Sequence, residues 1–193
     1  MSRVSQLWHF FKVRECAGTE GSQIVELAIS MPLLLVIVVG ITDFGTAFNL
    51  KQKLNNAARE GARTASKQSM SDISNGTPLT TDAIRDVIDN YLLAENVNDC
   101  GLSTSVPTKA GLIWTYTANT GCPGNGTLTL TIDRGNTFQT TGAGAVAMET
   151  THIHVSYPYL WRFGTFMRFF VPSANYASGV TQIVTDAVMT NLN

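Results

Sequence analysis

Glu26 is the residue whose placement most needs a reason. It stands in "GSQIVEL", Gly21 to Leu27, at the mouth of an apolar run that continues as "AISMPLLLVIVVGI" to Ile41. An unpaired carboxylate at the centre of a bilayer costs about 3 kcal/mol on insertion scales, and less near the interface. A carboxylate in this position therefore points to a positively charged partner or to a contact it must make.

Other residues could in principle do chemistry. His152 and His154 are two apart in a strand-like stretch, so their side chains share a face. A metal site would want a third or fourth ligand, and the remaining histidine is His9, near the N-terminus; the pair reads as two polar strand residues, with no metal expected. "GAGAVA", Gly142 to Ala147, matches a dinucleotide-binding pattern that has meaning only between a strand and a helix. Here "RGNTFQTT" precedes it and a strand follows, so it reads as a loop. No Gly-x-Ser-x-Gly elbow or Walker loop occurs, and nothing assembles a nucleophile, a base and oxyanion donors. The expectation is a protein that is not an enzyme and takes no cofactor.

Composition agrees with that direction. Of 193 residues, 44% are hydrophobic and only 14% charged, with a formal charge of -1. Typical soluble domains carry roughly 25% charged residues. The balance gives no electrostatic reason to expect a nucleic-acid partner. Low charge with many Thr and Asn fits an exported β-rich domain better than a cytosolic enzyme. The run from Leu27, extended to Phe48, gives about 22 residues or about 33 Å of helix, enough to cross a bilayer core of about 30 Å. Asp43 would then lie near the far interface. Arg3, Lys12 and Arg14 precede the span, and Lys51, Lys53, Arg59 and Arg63 follow it. That count does not favour an internal N-terminus, but a long polar domain translocates largely regardless of charge. The C-terminal domain is therefore expected outside the cytoplasm, with membrane lipid around the span.

In such a compartment Cys100 and Cys122, which flank a loop-rich stretch and both sit beside Gly, could close a disulfide loop. Two unpaired thiols are the alternative. Cys16 is left over, and removal of the first segment would resolve the odd count.

The elements that must position these residues follow from periodicity. Residues 22 to about 68 read as one helix, in which Leu50, Leu54, Ala58, Gly61, Ala62 and Ala65 form a face of mostly small residues. "SMSDISNGTP" stops it. "TTDAIRDVIDNYLLAEN" predicts a second helix capped by Thr80 or Thr81, with Asp82 in its first turn and a stripe of Ile84, Val87, Ile88, Tyr91 and Leu92. Leu112–Ala118, Thr127–Asp133, Met148–Tyr159 and the stretch "ASGVTQIVTDAVM" alternate or are β-branched, predicting an antiparallel sheet. "WRFGTFMRFFVP" is an aromatic-basic segment that fits a loop on the helix, a surface for lipid headgroups or a contact with a partner subunit. The expected class is α+β: a leader at 1–21, a transmembrane helix at 22–48, an amphipathic extension at 49–70 and an extracytoplasmic domain at 71–193.

Gly21 followed by Glu26 before an apolar helix resembles the processing site of type IV pilin-like proteins. The resemblance implies that a prepilin peptidase cuts after Gly21, making Ser22 the mature N-terminus and Glu26 the fifth mature residue. Further matching pieces are "ELA", "PLLL", "GITDFG" and "NNAAREGAR". Together, over Gly21 to Ser66, they resemble the TadE-like family of minor pilins, or pseudopilins, of tight-adherence (Flp) pilus systems. "HVSYPY" and the closing "TDAVMTN" resemble the family only loosely.

This resemblance implies a single-pass protein of the bacterial inner membrane with a periplasmic domain, helping to assemble or initiate an adhesive pilus that supports biofilm formation. Its partners would be the prepilin peptidase, the major and minor pilins and the assembly platform, with Glu26 as an assembly contact. Two rivals stand beside it. One is a secreted protein cut after Ala47; the other is a membrane-anchored adhesin or binding module that never joins a filament.

Overall fold

The computed structural model describes residues 19–139, 147–162 and 180–192. His9, Cys16, the rest of the expected leader before residue 19, Gly142–Val146 of the glycine-alanine loop, and residues 163–172 of the aromatic-basic segment lie outside the described residues. The described chain is α+β. Helix α1 (Thr19–Lys67) and helix α2 (Leu79–Ala94) precede strands β1 (Thr108–Ala110), β2 (Ile113–Ala118), β3 (Leu128–Gln139), β4 (Ala147–Leu160) and β5 (Val180–Thr190). The strands form one sheet in the order β1-β2-β3-β4-β5, every neighbouring pair antiparallel.

The chain divides into two compact units, Met1–Ile41 and Thr42–Asn193. In the first, α1 is long and apolar enough to cross a membrane. Large side chains such as Ile24, Leu27, Leu33 and Ile41 are all exposed. Pro32 lies inside the helix, where its missing N–H leaves the Ala28 carbonyl without its usual helical donor.

In the second unit the rest of α1 is a core element. Leu54, Ala57, Ala58, Ala62 and Ala65 are buried, and the expected small-residue face is the packed one. Its smallness has a use at Gly61, where an added Cβ would stand 2.6 Å from Ile88 Cδ1. Only a glycine permits that approach.

Of the expected stripe of α2, Ile84, Ile88 and Leu92 are in the same core and Tyr91 packs against it, but the helix cap differs from expectation. Pro78 is the N-cap residue and Leu79 opens the helix. Thr80 and Thr81 therefore lie inside the first turn, and the Thr81 hydroxyl donates back to the Pro78 carbonyl at 3.0 Å. The terminus is served instead by Asp72 in the preceding loop, which accepts from Thr80 N–H at 3.0 Å and from Thr80 Oγ1 at 2.6 Å. Burial alone would raise the Asp72 carboxyl; the Thr80 hydrogen bonds outweigh it and hold it below the usual range.

One sheet face completes the core in rows that cross the strands. Trp114, Ile132, Ile153 and Ala187 are successive register partners, as are Tyr116, Leu130, Val155 and Thr185, and all eight are buried. The register shifts between Asp133 and Asn136. Within that irregularity Arg134 is fully buried. Its guanidinium donates to the carbonyls of Ala65 (3.2 Å), Gln68 (2.9 Å) and Ser69 (3.3 Å) at the end of α1. The last carbonyls of a helix lack intrahelical donors and carry the negative end of its dipole, so a cation there is favoured.

Candidate functional site

Gly21, Ser22 and Glu26 lie in α1, Glu26 one turn beyond Ser22, all exposed. No described residue makes an ion pair or hydrogen bond with Glu26. Ser22 and Glu26 are four residues apart, so they share one face of the helix. Glycine adds no side chain to hinder access to the following peptide bond.

The structure joins Cys100 to Cys122 in a disulfide. The linked segments are also tied by hydrogen bonds: Asn98 Oδ1 accepts from Cys100 N–H at 2.8 Å, its amide donates to the Gly121 carbonyl at 2.8 Å, and Tyr157 hydroxyl donates to the Asn98 carbonyl at 2.9 Å. His152 and His154 share a face as expected, but the partner they meet was not foreseen. Asp186 on β5 is in register with His154. Its Oδ1 lies 2.9 Å from His152 Nε2 and 2.7 Å from His154 Nδ1. Those bonds, that from His154 first, hold the Asp186 carboxyl below its ordinary range. Both rings converge on one oxygen, which makes the group a polar tie between β4 and β5.

A larger feature lies between α1, the loop after α2 and the end of β4. It is a cavity of about 460 Å³ whose lining includes Thr46, Asn49 and Lys53 from α1, Asn96 from the loop, and Tyr159 and Arg162 from the far side. Lys53 Nζ donates to the Glu95 carbonyl at 2.7 Å and lies 3.6 Å from Glu95 Oε2. Beside the cavity Asp43 is buried, 4% exposed. Tyr159 hydroxyl donates to Asp43 Oδ1 at 2.8 Å and also meets the Thr46 hydroxyl. Trp161 packs its ring edgewise on Phe44 (5.2 Å between centroids) and on Tyr159 (4.9 Å). Its Nε1 donates to Thr181 Oγ1 at 2.8 Å.

Asp43 thus has a partner within the domain. The signal available in the sequence was a lone carboxylate just after an apolar run; what it did not disclose was the tyrosine over a hundred positions away. A cut after Ala47, as the secreted alternative requires, would remove both buried Asp43 and buried Ala47.

The family model for TadE-like protein matches residues 21–63. No curated protein and no solved structure matches the chain.

Proposed function

We propose, for a chain whose residues 21–63 are TadE-like, that it is a minor pilin or pseudopilin of a tight-adherence (Flp) pilus system. It is anchored once in the bacterial inner membrane with a periplasmic domain, and it takes part in assembling or initiating a pilus that serves adhesion and biofilm formation. Its role is structural, not catalytic. The observation that carries this reading is the extent of the family match, which takes in Gly21, Glu26, the apolar run and the small-residue face as far as Ala62. The helix with its outward apolar side chains supports the anchor, and the exposure of Gly21 and Ser22 supports access by a prepilin peptidase.

Maturation after Gly21 would free an ammonium on Ser22, four residues from Glu26 and on its face. In a medium of low dielectric, that ammonium or the one on a neighbouring pilin neutralises the carboxylate. Removing one member of a desolvated pair costs on the order of 3–5 kcal/mol, enough to lose a subunit contact. The test is Glu26→Ala alongside Gly21→Leu. Glu26→Ala is expected to insert and to begin at Ser22, yet to leave cells without filaments and to lose co-purification with the major pilin. Gly21→Leu is expected to remain full length. Wild-type filament numbers and pilin capture with Glu26→Ala would favour the membrane-anchored binding module. A mature Gly21→Leu product beginning at Ser22 would overturn the peptidase reading.

A further inference from the structure

We propose that the cavity between α1 and the end of β4 binds a phosphate-bearing group, supplied by an anionic phospholipid headgroup. Lys53 and Arg162 bring two cationic side chains to it, Asn49 and Asn96 bring amides, and among the described residues no carboxylate belongs to its lining. Glu95, outside the lining, takes one Lys53 donor on its carbonyl and stands 3.6 Å away through its carboxylate. An ammonium has three donors and a guanidinium five, so both retain hydrogen bonds for phosphate oxygens. The remaining wall includes Leu50, Val97 and Leu160, which suits an amphipathic ligand better than a bare ion.

The position along the chain selects the source. This step rests on the reading of the apolar run as a membrane span. Thr46, on the cavity rim, lies within the last residues of the expected transmembrane helix at 22–48, and Asn49 and Lys53 follow its end directly in the chain. A headgroup layer is about 5–8 Å deep on each side of the hydrocarbon core. Lysine and arginine stems reach back toward such an interface. A second observation agrees with the same setting: Phe44 and Phe48 are 59% and 64% exposed, and Phe44 meets the edge-on ring of Trp161, which in turn packs on Tyr159. Exposed aromatic rings with Trp and Tyr polar tips are the side chains favoured at a lipid-water boundary.

The experiment uses the full chain, extracted from membranes and loaded into nanodiscs of phosphatidylcholine with or without phosphatidylglycerol. Lipid retained per chain is then read by native mass spectrometry. The wild type is expected to retain phosphatidylglycerol at least tenfold over phosphatidylcholine. Arg162→Gln should reduce that preference, and Lys53→Gln with Arg162→Gln should abolish it without a change in the far-ultraviolet spectrum. Arg162 is exposed, so its variant reports on binding even if the Lys53 change perturbs folding. Equal retention of the two lipids by wild type, or an undiminished preference in Arg162→Gln, would overturn the proposal. Protection of the wild type by millimolar inorganic phosphate, without lipid preference, would overturn the lipid source. Resistance to carbonate extraction reports the anchor separately: a protein that extracts refutes the membrane span itself, whereas one that resists but shows no preference refutes only the site.

Discussion

The two halves of α1 treat hydrophobicity in opposite ways. Up to Ile41 the helix carries leucine, isoleucine and valine, and these stay exposed; from Thr42 on it carries alanine and glycine at the contact positions, and these are buried. Burial within the protein therefore does not track the size of the apolar side chain. It tracks how closely other elements approach, and small residues let α2 and the sheet come close. The large side chains of the first half have an apolar solvent as their natural counterpart, because a helix apolar on every face gains nothing from water.

The sharpest way to break this contrast is to shorten a leucine in each half. Leu54 is fully buried and Leu34 is 63% exposed. Leu54→Ala should cost about 2–5 kcal/mol, transfer loss plus cavity. Leu34→Ala should leave the domain within about 0.5 kcal/mol of wild type. Chemical unfolding in detergent, followed by tryptophan fluorescence, separates the two. Equal losses would mean that the two halves share one packing environment.

The disulfide comes next in size. Cys100 and Cys122 are 22 residues apart, and opening a loop of that length costs about 3 kcal/mol in the chain-entropy model. Cys100→Ser with Cys122→Ser should lower the unfolding midpoint of the domain while leaving carbonate-resistant membrane association unchanged. Membrane association lost along with stability would show that the anchor depends on the folded domain.

How much of this was legible beforehand depends on the range of the interaction. The helix was readable because its apolar period runs unbroken until the turn chemistry around Asn75-Gly76, and four strands were readable from alternation or β-branching. The three-residue β1 was missed: it is too short to show a period and exists through its pairing with β2. Arg134 was missed because arginine is ordinarily a surface residue, and only the fold brings three helix-end carbonyls to it. Gly21 and Glu26 could be singled out because their argument is local. Asp186 beside the histidines, Tyr159 over Asp43 and the cavity all join segments distant in sequence, for which single residues carry no mark.

A proton tests the domain half alone. Asp89 is 5% exposed, and no hydrogen bond reaches its Oδ1 among the described residues. Burial, then the neighbouring Asp99 carboxylate, pushes its carboxyl up to about 6; Asp86 adds to the rise and Arg85 opposes it. The unfolded value is about 3.9. Between about pH 4 and about pH 6 the folded chain keeps a proton that the unfolded chain has released, so stability falls as pH rises through that window. The loss is of order 3 kcal/mol. Asp72 and Asp186, both held low, titrate below the window and do not mask it. Asp89→Asn should flatten the profile and raise stability at pH 7, since an amide donates to Asp99 where a carboxylate repels it. An unchanged slope in the variant would place the titration elsewhere.

The smallest effect is expected at Gly61, where the two principles behind the comparison oppose each other. An alanine inside a helix is favoured over glycine by about 1 kcal/mol. At this position, however, the new methyl would meet Ile88 Cδ1 at 2.6 Å and Ile88 Cγ1 at 2.7 Å, and Ile88 is fully buried. Overpacking of this kind costs about 1–3 kcal/mol. Gly61→Ala should therefore destabilise by about 1 kcal/mol net. Gly40→Ala supplies the counterpart, because nothing lies within 4 Å of an added Cβ there and propensity acts unopposed. Helical content of the first half should hold or rise with Gly40→Ala, while the unfolding midpoint of the domain drops with Gly61→Ala. A rise in midpoint for Gly61→Ala would mean that α1 and α2 can move apart to admit a methyl, and that close approach is not why the second half of the helix is built from small residues.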